Sequence, residues 1–161
     1  AVLDGSENID ELKSLGNDII QYFGLGCRSV SKLFLPKGYN LNLIFEGLLP
    51  HADIIQNSKY ANNFDYNKAV FLMSEFDFLE NGFVILKEAQ EYSAPIACIH
   101  YEYYDNLSLL KKELNLNKNQ IQCIISKLPI AGAISFGKAQ KPELNEYADD
   151  IDTLLFLNQL N

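Results

Sequence analysis

The chain is 161 residues long, 48% hydrophobic and 21% charged, with a formal net charge of -8 at pH 7. That length suits one domain with a real core, and the acidic balance without a basic cluster argues against a nucleic-acid surface. No apolar run is long enough to span a bilayer, and three cysteines with two histidines, lacking C-x-x-C or H-E-x-x-H, predict neither a disulfide framework nor a metal site.

Taken in order, Ala1-Val2-Leu3 reads as a short strand turned by Asp4-Gly5-Ser6. A chain that opens inside a strand pattern is expected to be a piece of a longer protein. Ser6 or Asn8 is placed to cap a helix running to Tyr22, with Glu7, Asp10 and Glu11 suited to the positive end of its dipole. Ile9, Leu12, Leu15, Ile19 and Ile20 repeat at helical spacing, while Gly16 is expected to weaken the helix locally. A loop from Gly24 to Ser31 leads into an apolar strand, Lys32 to Leu35, ended by Pro36-Lys37-Gly38.

Leu41, Ile44, Phe45, Leu48 and Leu49 predict a second helix stopped before Pro50. The stretch from Asp53 to Asp65 is polar and asparagine-rich, so the next helix is placed only at Asn67 to Ser74. Gly82 closes that region, Phe83 to Leu86 reads as a buried strand, and Ile96 to Tyr101 follows Pro95 as another. Asn106 or Ser108 caps a helix bearing Leu107, Leu109, Leu110 and Leu114. Strands at 121–125 and 133–136 and a helical tail over 152–160 complete the chain. Helices alternating with near-continuously apolar strands predict an α/β fold, a three-layer αβα arrangement around a mostly parallel sheet, with residues 1–161 as a single domain. Cys98 and Cys123 lie inside apolar strands and read as core, and His100 as structural. With no signal-peptide start, the cytoplasm is the default location.

The chemistry is predicted at Cys27, which follows Gly24-Leu25-Gly26 between a helix and a strand. Small neighbours leave backbone near the sulfur open to a substrate carbonyl and to the oxyanion it becomes. Arg28 and Lys32 follow closely, and cations near a thiol favour the thiolate, the nucleophilic form. The competing reading is a buried thiol acting as a small hydrophobe.

Phe23-Gly24-Leu25-Gly26-Cys27 followed by Lys32-Leu33-Phe34-Leu35 resembles the catalytic-cysteine signature of the aldehyde dehydrogenase superfamily, with Lys32 in its basic position and Leu25 where glutamine is usual. Glu91-Tyr92-Ser93-Ala94-Pro95 stands where that superfamily carries glutamate, any residue, phenylalanine, glycine, proline. Within it, Gly24 to Lys32, Lys59 to Ala69 and Phe136-Gly137-Lys138-Ala139-Gln140 resemble the acyl-CoA reductases of the bacterial luminescence type. The resemblance implies an aldehyde dehydrogenase-like catalytic domain whose cofactor-binding domain and general base lie upstream of this chain. It implies NADPH-dependent reduction of a fatty acyl-CoA to the aldehyde through an acyl-cysteine on Cys27. Gly24, Gly26 and Lys32 would support the loop and oxyanion, and Glu91 would touch the cofactor ribose. It implies a homo-oligomer as well. Two other expectations stand beside this one. The chain is an assembly module that packs through Leu154, Leu155, Phe156 and Leu157, or a cysteine hydrolase with His51 or His100 as base.

Overall fold

The computed structural model describes residues 1–144, 146–147 and 151–160. Its first helix, α1 (Ile9–Ile20), starts where the sequence places a cap. Asn8 Oδ1 accepts from the Asp10 and Glu11 amides at 2.9 Å each, and Glu11 Oε2 accepts from the Asn8 amide at 2.8 Å. This reciprocal box satisfies donors that helix geometry leaves without intrahelical partners. Leu12, Leu15, Ile19 and Ile20 form its buried stripe.

Strand β1 (Lys32–Pro36) follows, then α2 (Asn42–Leu48), a 3-10 segment Leu49–Gln56 and α3 (Ser58–Met73). The short β2 (Leu79–Glu80), β3 (Ile85–Glu88) and β4 (Cys98–Tyr104) come next. Helix α4 (Leu107–Leu116), β5 (Ile124–Ile125), β6 (Ala133–Ile134) and α5 (Thr153–Asn158) end the described order.

The main sheet runs β1-β4-β3-β2, with β4 parallel to both β1 and β3 and only β2 antiparallel. Residues 1–3 join it to the parallel β5–β6 pair. Leu3 donates to Phe34 O at 3.0 Å on one side, and Val2 donates to Ile125 O at 2.9 Å on the other. Alternation along the strands then sorts the core into layers. Leu33, Leu35, Val84, Leu86 and Ile99 face α1 and α2. On the opposite side, Ile85 and Cys98 meet Tyr60, Phe64 and Phe71 of α3. Phe34 and Val2 meet Leu110 and Leu114 of α4 on that same side. The three-layer αβα architecture with a mostly parallel sheet is therefore what the chain adopts.

Several boundaries differ from the sequence reading, each for a physical reason. Helix α3 begins at Ser58, well before Asn67, because Asn57 caps it by accepting from Lys59 and Tyr60 amides at 3.1 Å. Its buried residues, Tyr60, Phe64, Asn67 and Phe71, recur at three- and four-residue steps, with Asn67 inside the stripe donating to Ile96 O at 2.9 Å and Asn62 on the outer face. Helix α2 does end before Pro50, at Leu48, and the proline opens the 3-10 segment that follows, where a missing N–H costs nothing. The strand predicted at 121–125 is ladder-paired only from Ile124, and β2 is too short to leave a periodic signal.

Gly16 also proves to be more than a weak point. A Cβ there would lie 3.0 Å from the His51 ring and 3.2 Å from Gly47 O, and one at Gly47 would lie 2.6 Å from Leu12 Cβ. Helices α1 and α2 approach so closely at Gly47 that a side chain there meets the Leu12 backbone, while Gly16 is packed tightly against His51 and Gly47 O. Gly47→Ala is accordingly expected to cost about 1–3 kcal/mol through forced separation of the two helices, read as a lower urea midpoint at constant slope. A midpoint matching the wild type would show that the helices can part without penalty.

Candidate active site

The loop carrying Cys27 is built by a reversal of backbone hand. After α1, Tyr22 (φ 57°), Phe23 (φ 61°) and Gly24 (φ 72°) run consecutively through the left-handed region. For Tyr22 and Phe23 this costs on the order of 1 kcal/mol or more each, and glycine alone adopts it freely. The reversal turns the chain back on itself, with Leu25 donating to Tyr22 O at 3.1 Å and Ser29 donating to Gly26 O at 2.9 Å. Gly26 is tightly packed: a Cβ would lie 3.0 Å from the Gln140 amide nitrogen and 3.1 Å from Ser29 Oγ, so both side chains would have to give. Cys27 emerges exposed at the tip.

What holds this loop comes from far along the chain. Asp18 is only 2% exposed, and its two carboxylate oxygens accept from the Gly137 amide at 2.6 Å and the Ala139 amide at 3.0 Å. Its own carbonyl accepts from Val30 at 3.0 Å, which fixes the loop's exit. Ala139 O in turn accepts from Arg28 Nε at 2.6 Å, and Gln140 donates to Ser29 Oγ at 3.2 Å. The Phe136–Gln140 turn thus clamps the cysteine loop. Sequence reasoning missed Asp18, because an aspartate near the end of an amphipathic helix looks like any solvated one. The single cue was its place between Leu15 and the Ile19-Ile20 pair of the apolar stripe.

The second wall is the segment after β3. In register, Lys32 of β1 and Lys87 of β3 both align with His100 of β4, so β1 begins at the level where β3 is ending. Residues 89–93 can therefore cross over β4 and reach the start of β1. Three contacts record the crossing: Lys32 Nζ donates to Ala89 O, His100 Nδ1 donates to Glu91 O at 3.1 Å, and Ser31 Oγ donates to Tyr92 O at 2.7 Å. Burial pushes the His100 imidazole below its ordinary range, with Lys87 and Lys32 adding repulsion, so the neutral ring acts as a donor.

Between the two walls lies a cleft of about 140 Å³. Cys27, Ser31 and Gln120 line its mouth region, with Phe34, Leu114 and Ile121 among its apolar walls. A shallower groove, lined by Ser31, Glu91, Tyr92 and Gln120, shares residues with it and carries Glu91 beside the same opening. Glu91 is exposed, and its own amide hydrogen bond holds its carboxyl below the usual glutamate range, with the Lys87 and Lys32 charges adding to that effect.

The cations expected to serve Cys27 are committed elsewhere. Arg28 is spent on Ala139 O and on Glu146 at 3.3 Å. Lys32 is 4% exposed and pairs with Glu102 at 2.9 Å besides its bond to Ala89 O. It supports the 89–93 segment and lines the same cleft as Cys27. Cys123, read as core, is half-buried and lines the same cleft, its Sγ 3.8 Å from Arg28 O. Cys98 is buried as expected, its thiol pushed up to about 12 by desolvation. No hydrogen bond joins Cys27 to either histidine among the described residues: His51 rests against Gly16, and His100 is occupied by Glu91 O. Among the described residues no three His, Cys, Asp or Glu side chains are grouped to hold a metal, and no helix is long and apolar enough to cross a membrane.

No family model matches the sequence, and no curated protein sequence matches it. Among solved structures the chain is similar to an NAD-dependent aldehyde dehydrogenase from Sinorhizobium meliloti, with 12% identity and a TM-score of 0.47. The match covers 77% of this chain and 30% of that one. It is similar also to a variant of the 1-pyrroline-5-carboxylate dehydrogenase of Thermus thermophilus, at 12% identity and a TM-score of 0.42 over 71% of this chain and 28% of that one. The Thermus dehydrogenase with bound NAD gives 11% identity and a TM-score of 0.44, over the same shares of both chains. The chain spans less than a third of the length of each.

The Asp18 clamp has a pH signature. Burial raises its carboxyl above the ordinary aspartate value, and the Gly137 and Ala139 amides only partly oppose that. The folded state therefore binds this proton more tightly than the unfolded one. The associated stability is full below about pH 4, the ordinary aspartate range, and is lost as pH rises through the folded value. Asp18→Asn should lack that decline, and should be about 1–3 kcal/mol less stable at neutral pH because one amide loses its acceptor. Urea unfolding at a series of pH values reads both effects, and an identical pH slope in the two proteins would show that Asp18 does not titrate there.

Proposed function

We propose that this chain is the acyl-accepting part of an acyl-CoA reductase, in which Cys27 takes the fatty acyl group from coenzyme A as a thioester. The observation that carries this reading is the exposed Cys27 thiol on a cleft that Phe34, Leu114 and Ile121 also line. Support comes from the resemblance of Gly24 to Lys32 and Glu91 to Pro95 to the aldehyde dehydrogenase superfamily.

In this reading the Cys27 thiolate attacks the thioester carbonyl, and the oxyanion lies against the Cys27 N–H, which meets no acceptor among the described residues. Collapse expels the coenzyme A thiolate, a leaving group that needs little acid assistance, so the absence of a histidine contact is no obstacle. Phe34, Leu114 and Ile121 accept the alkyl chain and exclude water from the new thioester. A nicotinamide cofactor, NADPH in this reading, supplies hydride when bound. Glu91 suits its ribose, since an exposed, ionised carboxylate is a good acceptor for sugar hydroxyls. The rest of the cofactor's site would lie in an upstream domain, so the 161 residues alone are expected to make no aldehyde. The setting this implies is cytoplasmic.

Acyl transfer itself needs no cofactor and can be tested on this chain. Incubation with octanoyl-coenzyme A should release free coenzyme A and leave one octanoyl group on the Cys27 peptide by mass spectrometry. Cys27→Ala should abolish the adduct, whereas Cys98→Ala should leave it intact. An adduct that persists in Cys27→Ala sinks the assignment.

An assembly role is favoured by a separate observation. Leu154, Leu155, Phe156 and Leu157 of α5 are each more than half exposed, and exposed apolar clusters of this kind mark contact surfaces. Self-association through α5 predicts a mass above the monomer by light scattering, reduced by Leu154→Glu with Leu157→Glu. A monomer at every concentration would remove the oligomer from the proposal.

A further inference from the structure

We propose that Cys27 and Cys123 form a reversible intramolecular disulfide across the cleft, with Cys27 as the oxidised thiol and Cys123 as the one that resolves it. The three cysteines of the chain occupy three unlike places. Cys27 is exposed at the tip of its loop, where an oxidant in solution reaches it. Cys98 is buried in the core between β4 and α3, on the sheet face opposite to α1. Cys123 is the intermediate case: half-buried, it lines the same cleft as Cys27, and its sulfur lies 3.8 Å from the carbonyl of Arg28, the residue bonded to Cys27.

Neither cysteine sits within a strand ladder. Cys27 occupies a turn, and Cys123 precedes the first ladder-paired residue of β5, Ile124. A disulfide needs Cα atoms within about 7 Å, and the contact of the Cys123 sulfur with the Arg28 carbonyl sets it beside the residue that follows Cys27.

The oxidant is a peroxide. The Cys27 thiolate attacks one oxygen of hydrogen peroxide, the O–O bond breaks, and the released hydroxide takes a proton to leave as water, giving a sulfenic acid at Cys27. Cys123 then gives up its thiol proton and attacks that sulfur. The S–O bond breaks, a second water leaves and the S–S bond forms. Two thiols have lost two electrons to one peroxide. A thiol reductant restores both. The consequence is protection, because a sulfenic acid trapped as a disulfide is spared irreversible oxidation to the sulfinic level.

This inference concerns the pair of thiols and stands or falls separately from acyl transfer at Cys27. The test is treatment of the chain with hydrogen peroxide, followed by alkylation and peptide mapping. The wild type is expected to lose the mass of two hydrogens, to yield a linked pair of peptides carrying Cys27 and Cys123, and to revert with dithiothreitol. The fraction linked should not change on dilution, as an intramolecular bond requires. Cys123→Ser should instead accumulate oxygen on Cys27, whereas Cys98→Ser should behave as the wild type. Should Cys123→Ser fold poorly, the wild-type map alone decides. A wild-type map with oxygen on Cys27 and Cys123 alkylated, or with Cys27 joined to Cys98, overturns the proposal.

Discussion

The candidate site depends on one buried anion. Asp18 lies in the last turns of α1, and moving a carboxylate out of water there costs several kcal/mol unless its oxygens are satisfied. Two amides from the Gly137–Ala139 turn supply that satisfaction, one to each oxygen. An asparagine could not substitute evenly, since its side chain offers one acceptor for two donors. The carbonyl of the same residue holds Val30. One position therefore ties the end of a helix, the exit of the cysteine loop and a turn more than a hundred residues away into a single object.

That object is what makes the left-handed run affordable. Tyr22 and Phe23 are 60% and 43% exposed, so burial of their rings does not offset their backbone conformation. The compensation lies in the clamp: Arg28 to Ala139, Gln140 to Ser29 and Val30 to Asp18 are all made only if the chain reverses at Tyr22–Gly24. Local strain and distant hydrogen bonds are thus two sides of one balance. The outcome is a cysteine held on a loop fixed at both ends and exposed at the tip, an arrangement suited to presenting a sulfur without letting it wander.

The elements whose residues carry their own instructions were legible. Asn8 and Asn106 cap the helices expected of them, and the apolar stretches Leu33–Leu35 and Ile99–Tyr101 became neighbouring parallel strands with their side chains sorted to two faces. Helix α3 was half hidden, because its stripe is mostly aromatic and widely spaced while asparagine, a poor helix former, recurs along the helix. The site was legible only as a motif. The glycines marked an open loop at Cys27 while a buried thiol stayed a competing reading, and nothing local says that Arg28 and Lys32 are spent on Ala139 and on Ala89 with Glu102, or that Cys123 turns toward the same cleft as Cys27. Those facts arise from contacts between segments dozens of residues apart, which periodicity does not encode.

The stagger of the sheet completes the logic. Were β1 and β3 level, the segment after β3 would leave the sheet far from the loop that enters β1. Because Lys32 and Lys87 share one row with His100, that segment instead folds over β4 and meets Ser31. A cation and an imidazole lie under it, and each gives its proton to a main-chain carbonyl, Ala89 or Glu91, so the crossing is held by backbone rather than by side chains free to vary their rotamer. The cleft is the space left between this crossing and the clamped loop. Helix α4 closes it from below with Leu114 against Phe34. A thiol at the rim and hydrocarbon beneath is the division a fatty thioester presents, a polar carbonyl joined to an alkyl chain. The acyl-transfer reading follows from that match of shapes and polarities.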